Sequence, residues 1–264
     1  MSEPEQQFVV TTKADGVGRI TLNNPKRWNA LNRQMIDQLR EALERLERDA
    51  ELKCVVITGE GTAFCAGADI SLFQELDNIS AYDYMRNTGG QIQRLIENSE
   101  KIYIAAVNGM CLAGGLEIAL CCDLIVASET AGFGLPEITL GILPGWGGTV
   151  RLPRRIPLCK AKEMILTGDF VFAKDALSMG LVNRVVPANQ LEDCVTELTR
   201  KLCDKSPLAL RMAKNSINNE LSAPSIDAAL AIERGSIVFL ASTEDAKEGI
   251  TAFLEKRRPV FKGQ

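Results

Sequence analysis

The sequence predicts an α/β protein whose last third is almost wholly helical. Short, unbroken apolar runs recur at residues 54–57, Ile102–Val107 and 124–127, as strands of a sheet buried on both faces require. Segments with apolar residues at helical spacing alternate with these runs. From Lys160 onward the pattern is helical, punctuated by glycines and by capping residues.

The elements follow in order. Val17-Gly18-Arg19-Ile20-Thr21-Leu22 alternates as a half-buried strand does and stops at the turn-forming Asn23-Asn24-Pro25. Asn32 is placed to cap a helix whose apolar face is Met35, Leu39, Leu43 and Leu46. The run at 54–57 ends in the loop Gly59-Glu60-Gly61, and 116–122 reads as a short helix entered through Gly114-Gly115. Gly168 and Gly180 end helical stretches, the latter closing 173–179. Helices are then expected at 190–204, 206–220 with Ser206 as cap and Pro207 in the first turn, 225–241 and 243–256. No repeat of solenoid period is present, so residues 1–190 are expected to form an α/β core with the active site and 191–264 a helical region packed upon it.

Composition removes whole classes of chemistry. The 264 residues include no histidine, which excludes Ser-His-Asp and Cys-His nucleophiles, His-ligated zinc or haem, and the usual near-neutral proton shuttle. Proton transfer must fall to Asp, Glu, Lys, Tyr or Cys. The net charge of −4 gives no broad attraction to nucleic acid or to an anionic membrane. Eight cysteines without a Cys-x-x-Cys pair read as free thiols in a reducing compartment, with no metal site expected. Met1-Ser2-Glu3-Pro4-Glu5 is acidic and lacks the apolar run of a secretory signal, and the charge-free stretch 102–116 falls short of the ~20 residues of a membrane span. A cytoplasmic location without membrane association is expected.

Three segments are richer in glycine than packing needs: Ala63-Phe64-Cys65-Ala66-Gly67-Ala68-Asp69-Ile70, Asn108-Gly109-Met110-Cys111-Leu112-Ala113-Gly114-Gly115-Leu116-Glu117, and the pair Phe133-Gly134-Leu135-Pro136-Glu137 and Gly141-Ile142-Leu143-Pro144-Gly145-Trp146-Gly147-Gly148-Thr149. Glycines between a strand and a helix let backbone N–H groups approach a ligand, as an oxyanion hole or a phosphate cradle requires. The dinucleotide and nucleoside-triphosphate glycine patterns are absent. Glu117 lies among Leu116, Ile118, Ala119 and Leu120, where an ionised carboxylate is costly unless paired. Glu137, between Pro136 and Ile138, raises the same question, with a solvated loop charge as its alternative.

Taken in order, these segments, together with Leu22-Asn23-Asn24-Pro25 and Asn29-Ala30-Leu31, closely resemble the enoyl-CoA hydratase/isomerase (crotonase) superfamily over nearly the whole chain, and within it the hydratases. The resemblance implies a spiral of ββα turns with a helical C-terminal region, assembled as a homotrimer or a hexamer that is a dimer of trimers, with the terminal helices, including Ile232, Val238, Phe239, Leu240, Phe253 and Leu254, at the contacts. It implies a coenzyme A thioester as substrate and no cofactor. The backbone N–H groups of Ala68 and Gly114 match those that hold the thioester oxygen, and Glu117 and Glu137, twenty positions apart, match the two glutamates that add water to the double bond. By the same resemblance Lys26, Arg27, Trp28, Ala66, Asp69 and Ile70 fall on the CoA side, Lys256 reaches CoA from the closing helix, and Met110, Leu116, Ile142 and Trp146 neighbour the acyl group. Residues 72–91 depart most from the family and are expected to shape the far end of the site.

The leading expectation is reversible hydration of a 2-enoyl-CoA to a 3-hydroxyacyl-CoA. A Δ3,Δ2-enoyl-CoA isomerase, which needs one working carboxylate, is the alternative within the family, and a non-catalytic acyl-CoA-binding or RNA-binding paralogue the alternative outside it. RNA binding is disfavoured by the 33–50 segment, with four Arg against five acidic residues. A two-carboxylate glycosidase lacks the aromatic platform a sugar needs, aromatics being 5% of the chain.

Overall fold

The computed structural model describes residues 6–73, 77–220 and 222–264; the acidic segment Met1-Ser2-Glu3-Pro4-Glu5 lies outside them. Strands β1 (Val9–Ala14) and β2 (Val17–Leu22) form an antiparallel hairpin closed by Asp15-Gly16, both at positive φ as a tight two-residue turn demands. Helix α1 (Arg33–Glu47) begins where expected, with the Asn32 side chain accepting the Met35 N–H at 2.8 Å.

Three circuits of similar plan follow. The first runs through β3 (Cys54–Gly59), β4 (Ala63–Cys65), α2 (Asn78–Asn87) and α3 (Gly89–Glu97). The second has β5 (Ile102–Val107), β6 (Met110–Leu112) and α4 (Gly114–Cys121). The third has β7 (Leu124–Ser128), β8 (Gly132–Gly134), a 3-10 turn (Pro136–Leu140), α5 (Gly148–Arg155), α6 (Leu158–Thr167), β9 (Val171–Phe172) and α7 (Ala173–Ser178), and returns through β10 (Arg184–Val186). The longer strands form a six-stranded sheet in the order β1-β2-β3-β5-β7-β10, parallel from β2 onward. The short strands form a second sheet, β4-β6-β8-β9, parallel except for β9. This is the ββα spiral.

The large sheet is buried on both faces. Val55, Ile57, Tyr103, Ala105, Ile125 and Ala127 enter the main core with α1 and the short sheet. Val56, Ile104, Ala106 and Val126 point the other way, under Leu191 and Val195 of α8 (Leu191–Cys203). Two buried faces are why these strands read as unbroken apolar runs.

The remaining helices, α9 (Pro207–Glu220), α10 (Ile226–Ala241) and α11 (Glu244–Leu254), start at Ser206, Ser225 and Thr243, each of whose side chains accepts the N–H three residues on. Buried Lys214 ties α9 to the core through Asp123 at 3.0 Å and the carbonyls of Ile96 and Lys101. Helix α10 packs on α9 but buries no side chain completely. Ile226, Ile237, Val238 and Phe239 on α10, and Phe253 and Leu254 on α11, stand exposed. No helix among the described residues is long and apolar enough to cross a membrane.

Candidate active site

The residues singled out from the sequence follow the C-terminal ends of the three parallel short strands. Ala68 comes after β4, Gly114 after β6 and Glu137 after β8. Neighbouring strands lie about 4.8 Å apart, so the ladder holds these groups beside one another.

Asn29 organises the first of these loops. It is fully buried, its side-chain amide donating to the carbonyls of Glu60 (3.0 Å) and Ala63 (2.8 Å) and its oxygen accepting the Asn24 N–H at 2.8 Å. Main-chain bonds then lace this segment to the next: Ala66 N to Trp28 O, Leu31 N to Gly67 O and Asp69 N to Leu31 O. Leu31 thereby pairs in parallel fashion with Ala68. Such pairing engages the residues flanking Ala68 and leaves its own N–H facing the other way.

The second N–H is aimed by backbone strain. Ala113, at φ 49° and ψ −128°, occupies a region that L residues enter at a cost of about 1–3 kcal/mol. Its N–H is anchored to Gly134 O at 2.9 Å, and the turn starts α4 with the Gly114 N–H at the helix mouth. A methyl on Gly114 would lie 3.6 Å from Ala68 N and 3.3 Å from the Trp146 ring, so the two N–H groups and the indole share one small region. Among the described residues neither N–H donates to another group of the chain. Two free donors side by side, one at a helix N-terminus, fit a carbonyl oxygen acquiring negative charge.

Glu117 projects from the first turn of α4 and is almost wholly buried. Its Oε1 accepts the N–H groups of Trp146 and Gly148, each at 2.7 Å. Gly147, at φ 95°, lets the chain turn so that both N–H groups meet one oxygen at the start of α5. Oε2 accepts nothing from the chain among the described residues. Burial raises its pKa from 4.5 to about 7; the Gly148 and Trp146 N–H groups oppose that rise, and the neighbouring Glu137 charge adds to it. Glu137, on the 3-10 turn, is also buried, and its pKa is raised by desolvation. Its Oε2 is enclosed without a protein partner. A buried, unpaired carboxyl oxygen is costly unless protonated or bound to a ligand.

Several supporting residues carried no signal in the sequence. Arg151 clamps Glu97 through Nε (2.5 Å) and Nη2 (2.7 Å) and donates Nη1 to the Trp146 carbonyl at 3.2 Å. The peptide that holds Glu117 is thereby fixed from its other side. A methyl on Gly89 would fall 2.2 Å from the Trp146 indole, so the start of α3 is glycine because the ring lies against it. The glycine run around Trp146 was visible in sequence; the partnership of Glu97 with Arg151, fifty-four residues apart, was not.

The structure sorts the remaining candidates. Lys26, Arg27 and Trp28 are exposed on the turn next to the Ala68 loop. Ala66 and Asp69 belong to that loop through their main chain, the Asp69 carboxylate capping Ser71, and Ile70 is half exposed. Trp146 is buried over Gly114; Leu116 is fully buried in the core and presents no open surface, whereas Ile142 is exposed. The thioether of Met110 lies against Gly132 of β8. Lys256 is exposed just beyond α11, at φ 56°. Of the divergent stretch 72–91, residues 74–76 lie outside the described residues; Met85 and Gly89 from the rest border Gly145 and Trp146. No cluster of three or more His, Cys, Asp or Glu is placed to hold a metal ion among the described residues.

Known proteins share this arrangement of sequence and fold. The profile of the enoyl-CoA hydratase/isomerase family matches residues 12–264. A Clostridium acetobutylicum protein named short-chain-enoyl-CoA hydratase is 41% identical over 255 residues, spanning 96% of this chain and 97% of its own. The 2,3-dehydroadipyl-CoA hydratase of Escherichia coli is 41% identical over 97% of this chain and 99% of its own. The crystal structure of an enoyl-CoA hydratase subunit from Geobacillus kaustophilus superposes with a TM-score of 0.91 at 40% identity, over 97% of this chain and 98% of that one. By sequence along nearly its whole length, and by fold, this chain belongs to the enoyl-CoA hydratase/isomerase family.

Proposed function

We propose that this protein is an enoyl-CoA hydratase, a hydro-lyase that adds water reversibly across the α,β double bond of a 2-enoyl-CoA to give the 3-hydroxyacyl-CoA. The observation that carries this reading is the pair of buried carboxylates, Glu117 and Glu137, close enough for the charge of Glu137 to raise the Glu117 pKa, together with two free backbone donors. The Ala68 and Gly114 N–H groups take the thioester oxygen and stabilise the enolate that forms on attack; each donor of this kind is worth about 10²–10³ in rate. Glu117 is the base. Two N–H groups on Oε1 hold its ionised form, Oε2 is left free to take the proton of the water, and a pKa about 7 suits proton transfer near neutrality. Glu137 is the acid, since its unpaired buried oxygen favours the protonated form. As the water oxygen bonds to Cβ, its proton passes to Glu117 and the Glu137 proton to Cα; proton exchange between the two carboxyls then restores the starting state. No step calls for a metal or redox group.

Lys26 and Arg27, free of ion pairs among the described residues, are the proposed contacts for the CoA phosphates, with Trp28 beside them. Two relatives, named for short-chain-enoyl-CoA and crotonyl-CoA, favour a short acyl chain, while a third is named for 2,3-dehydroadipyl-CoA. The exposed apolar side chains of α10 and α11 are the proposed contacts of a homotrimer or a dimer of trimers, and Lys256 then reaches a neighbouring subunit's substrate. Free cysteines accord with a cytoplasmic setting.

The test is hydration of crotonyl-CoA, followed by loss of the enone absorbance. Glu137→Gln should lower turnover by at least about 10² while leaving CoA-ester binding intact. Unchanged turnover would refute the assignment, and full activity in Glu117→Gln with activity abolished in Glu137→Gln, showing one working carboxylate, would move the isomerase reading ahead.

A further inference from the structure

Two cysteines come together on the opposite side of the six-stranded sheet from the candidate active site. Side chains alternate along β3, so Cys54 and Val56 project together towards α8, away from Val55 and Ile57. Val56 packs under Leu191 and Val195, and Thr199 and Cys203 continue the Val195 line of α8 at four-residue spacing. The end of α8 therefore meets the start of β3. Lys53 Nζ holds the carbonyls of Cys203 (2.7 Å) and Lys205 (3.3 Å). The Gly16 carbonyl accepts from Cys54 N at 3.3 Å and from Cys203 Sγ at 3.9 Å. Both cysteines thus gather about the Gly16 carbonyl, near enough for each thiol to bear on the other's titration. Cys54 is fully buried, whereas Cys203 is partly open to solvent.

We propose that Cys54 and Cys203 are a redox-active dithiol that small disulfides such as glutathione disulfide convert to an intramolecular disulfide. The Cys203 thiolate attacks one sulfur of glutathione disulfide; that S–S bond breaks, a mixed disulfide forms and one glutathione leaves. Cys54 then attacks Cys203 Sγ, forming the internal bond and expelling the second glutathione. Two protein thiols are oxidised, one small disulfide is reduced, and the two thiol protons end on the two glutathiones. The environment fits the roles. The neighbouring Cys54 thiol and the Lys53 ammonium lower the Cys203 pKa against partial burial and the charges of Asp204 and Asp15, while the Cys54 thiol is held well above its ordinary pKa by the neighbouring Cys203 and by burial. Cys65 and Cys111 also stand opposite each other, on β4 and β6, but both are fully buried and meet no oxidant. Cys159, exposed on α6, is the internal reference for a reachable thiol.

The native protein is treated with glutathione disulfide, alkylated, digested and mapped by mass spectrometry. The expected result is a Cys54–Cys203 linked peptide with glutathione retained on Cys159 but not on Cys203. In Cys54→Ser, and in Cys54→Ala as a check on packing, glutathione should persist on Cys203. The oxidised protein should also melt several degrees above the reduced one, because the bond closes a long loop. Equal retention of glutathione on Cys203 in wild type and Cys54→Ala would overturn the proposal, as would an unmodified Cys203 in protein whose Cys159 is fully glutathionylated.

Discussion

Glu117→Gln keeps the oxygen that the Trp146 and Gly148 N–H groups require and removes the titratable charge. In the folded protein Glu117 holds its proton up to about pH 7, against 4.5 for an ordinary glutamate. At about 1.4 kcal/mol per pH unit, that difference is worth about 3 kcal/mol. The sign follows from proton binding. Between these two pH values the folded state binds more proton than the unfolded chain, so the protonated carboxyl's contribution is complete below 4.5 and is lost as the pH rises through about 7. Wild type should therefore weaken relative to Glu117→Gln as pH rises, with about 2.5 kcal/mol of the gap opening between pH 5 and pH 8. Urea unfolding of both proteins at those two pH values, at one protein concentration so that any assembly is matched, measures the gap directly. The variant should gain stability at pH 8 while losing hydration activity, as expected where a site holds a destabilising group for its chemistry. A gap that stays constant to within about 0.5 kcal/mol would show that Glu117 titrates normally, and the assignment of Glu117 as a base tuned to neutral pH would fail.

Gly89→Ala drives a methyl into the Trp146 indole, which should cost about 1–3 kcal/mol and move the N–H that holds Glu117; a melting curve and turnover should fall together, and a silent variant would contradict the packing described. Arg151→Lys removes the fork that grips Glu97 and the Trp146 carbonyl, so kcat should drop about tenfold with little change in KM, whereas a change confined to KM would place Arg151 in substrate binding instead. Val238→Glu and Phe253→Glu place charge on the exposed apolar surface of α10 and α11; sedimentation should show an assembly in wild type and smaller species in the variants, and a wild-type monomer at micromolar concentration would remove the proposed contacts.

The fold was legible where one sequence pattern had one physical solution. Strands β3, β5 and β7, buried on both faces, cannot read as anything but short apolar runs, and α9, α10 and α11 carry their caps at Ser206, Ser225 and Thr243. The short strands did not announce themselves: at three residues each, β4, β6 and β8 are too brief for a period of two to emerge, and they read as parts of glycine loops. Strand β1, whose outer half is exposed, offered no apolar alternation either. At the site, Glu117 was conspicuous as a charge in an apolar run. Its anchors were not, because the direction of a backbone N–H at Trp146 or Gly148 depends on the left-handed turn at Gly147, which the residue names leave open.

The short parallel sheet places two kinds of group with different fates under mutation. The donors at Ala68 and Gly114 belong to the main chain, so almost any side-chain replacement leaves them in being, while the carboxyls at 117 and 137 vanish with a single base change. If the donors grip the thioester, a lineage descended from this scaffold can lose or relocate its proton-transfer groups and still bind and polarise the same class of ester. The site is then free to drift between reactions of a common enolate without passing through a form that no longer recognises substrate.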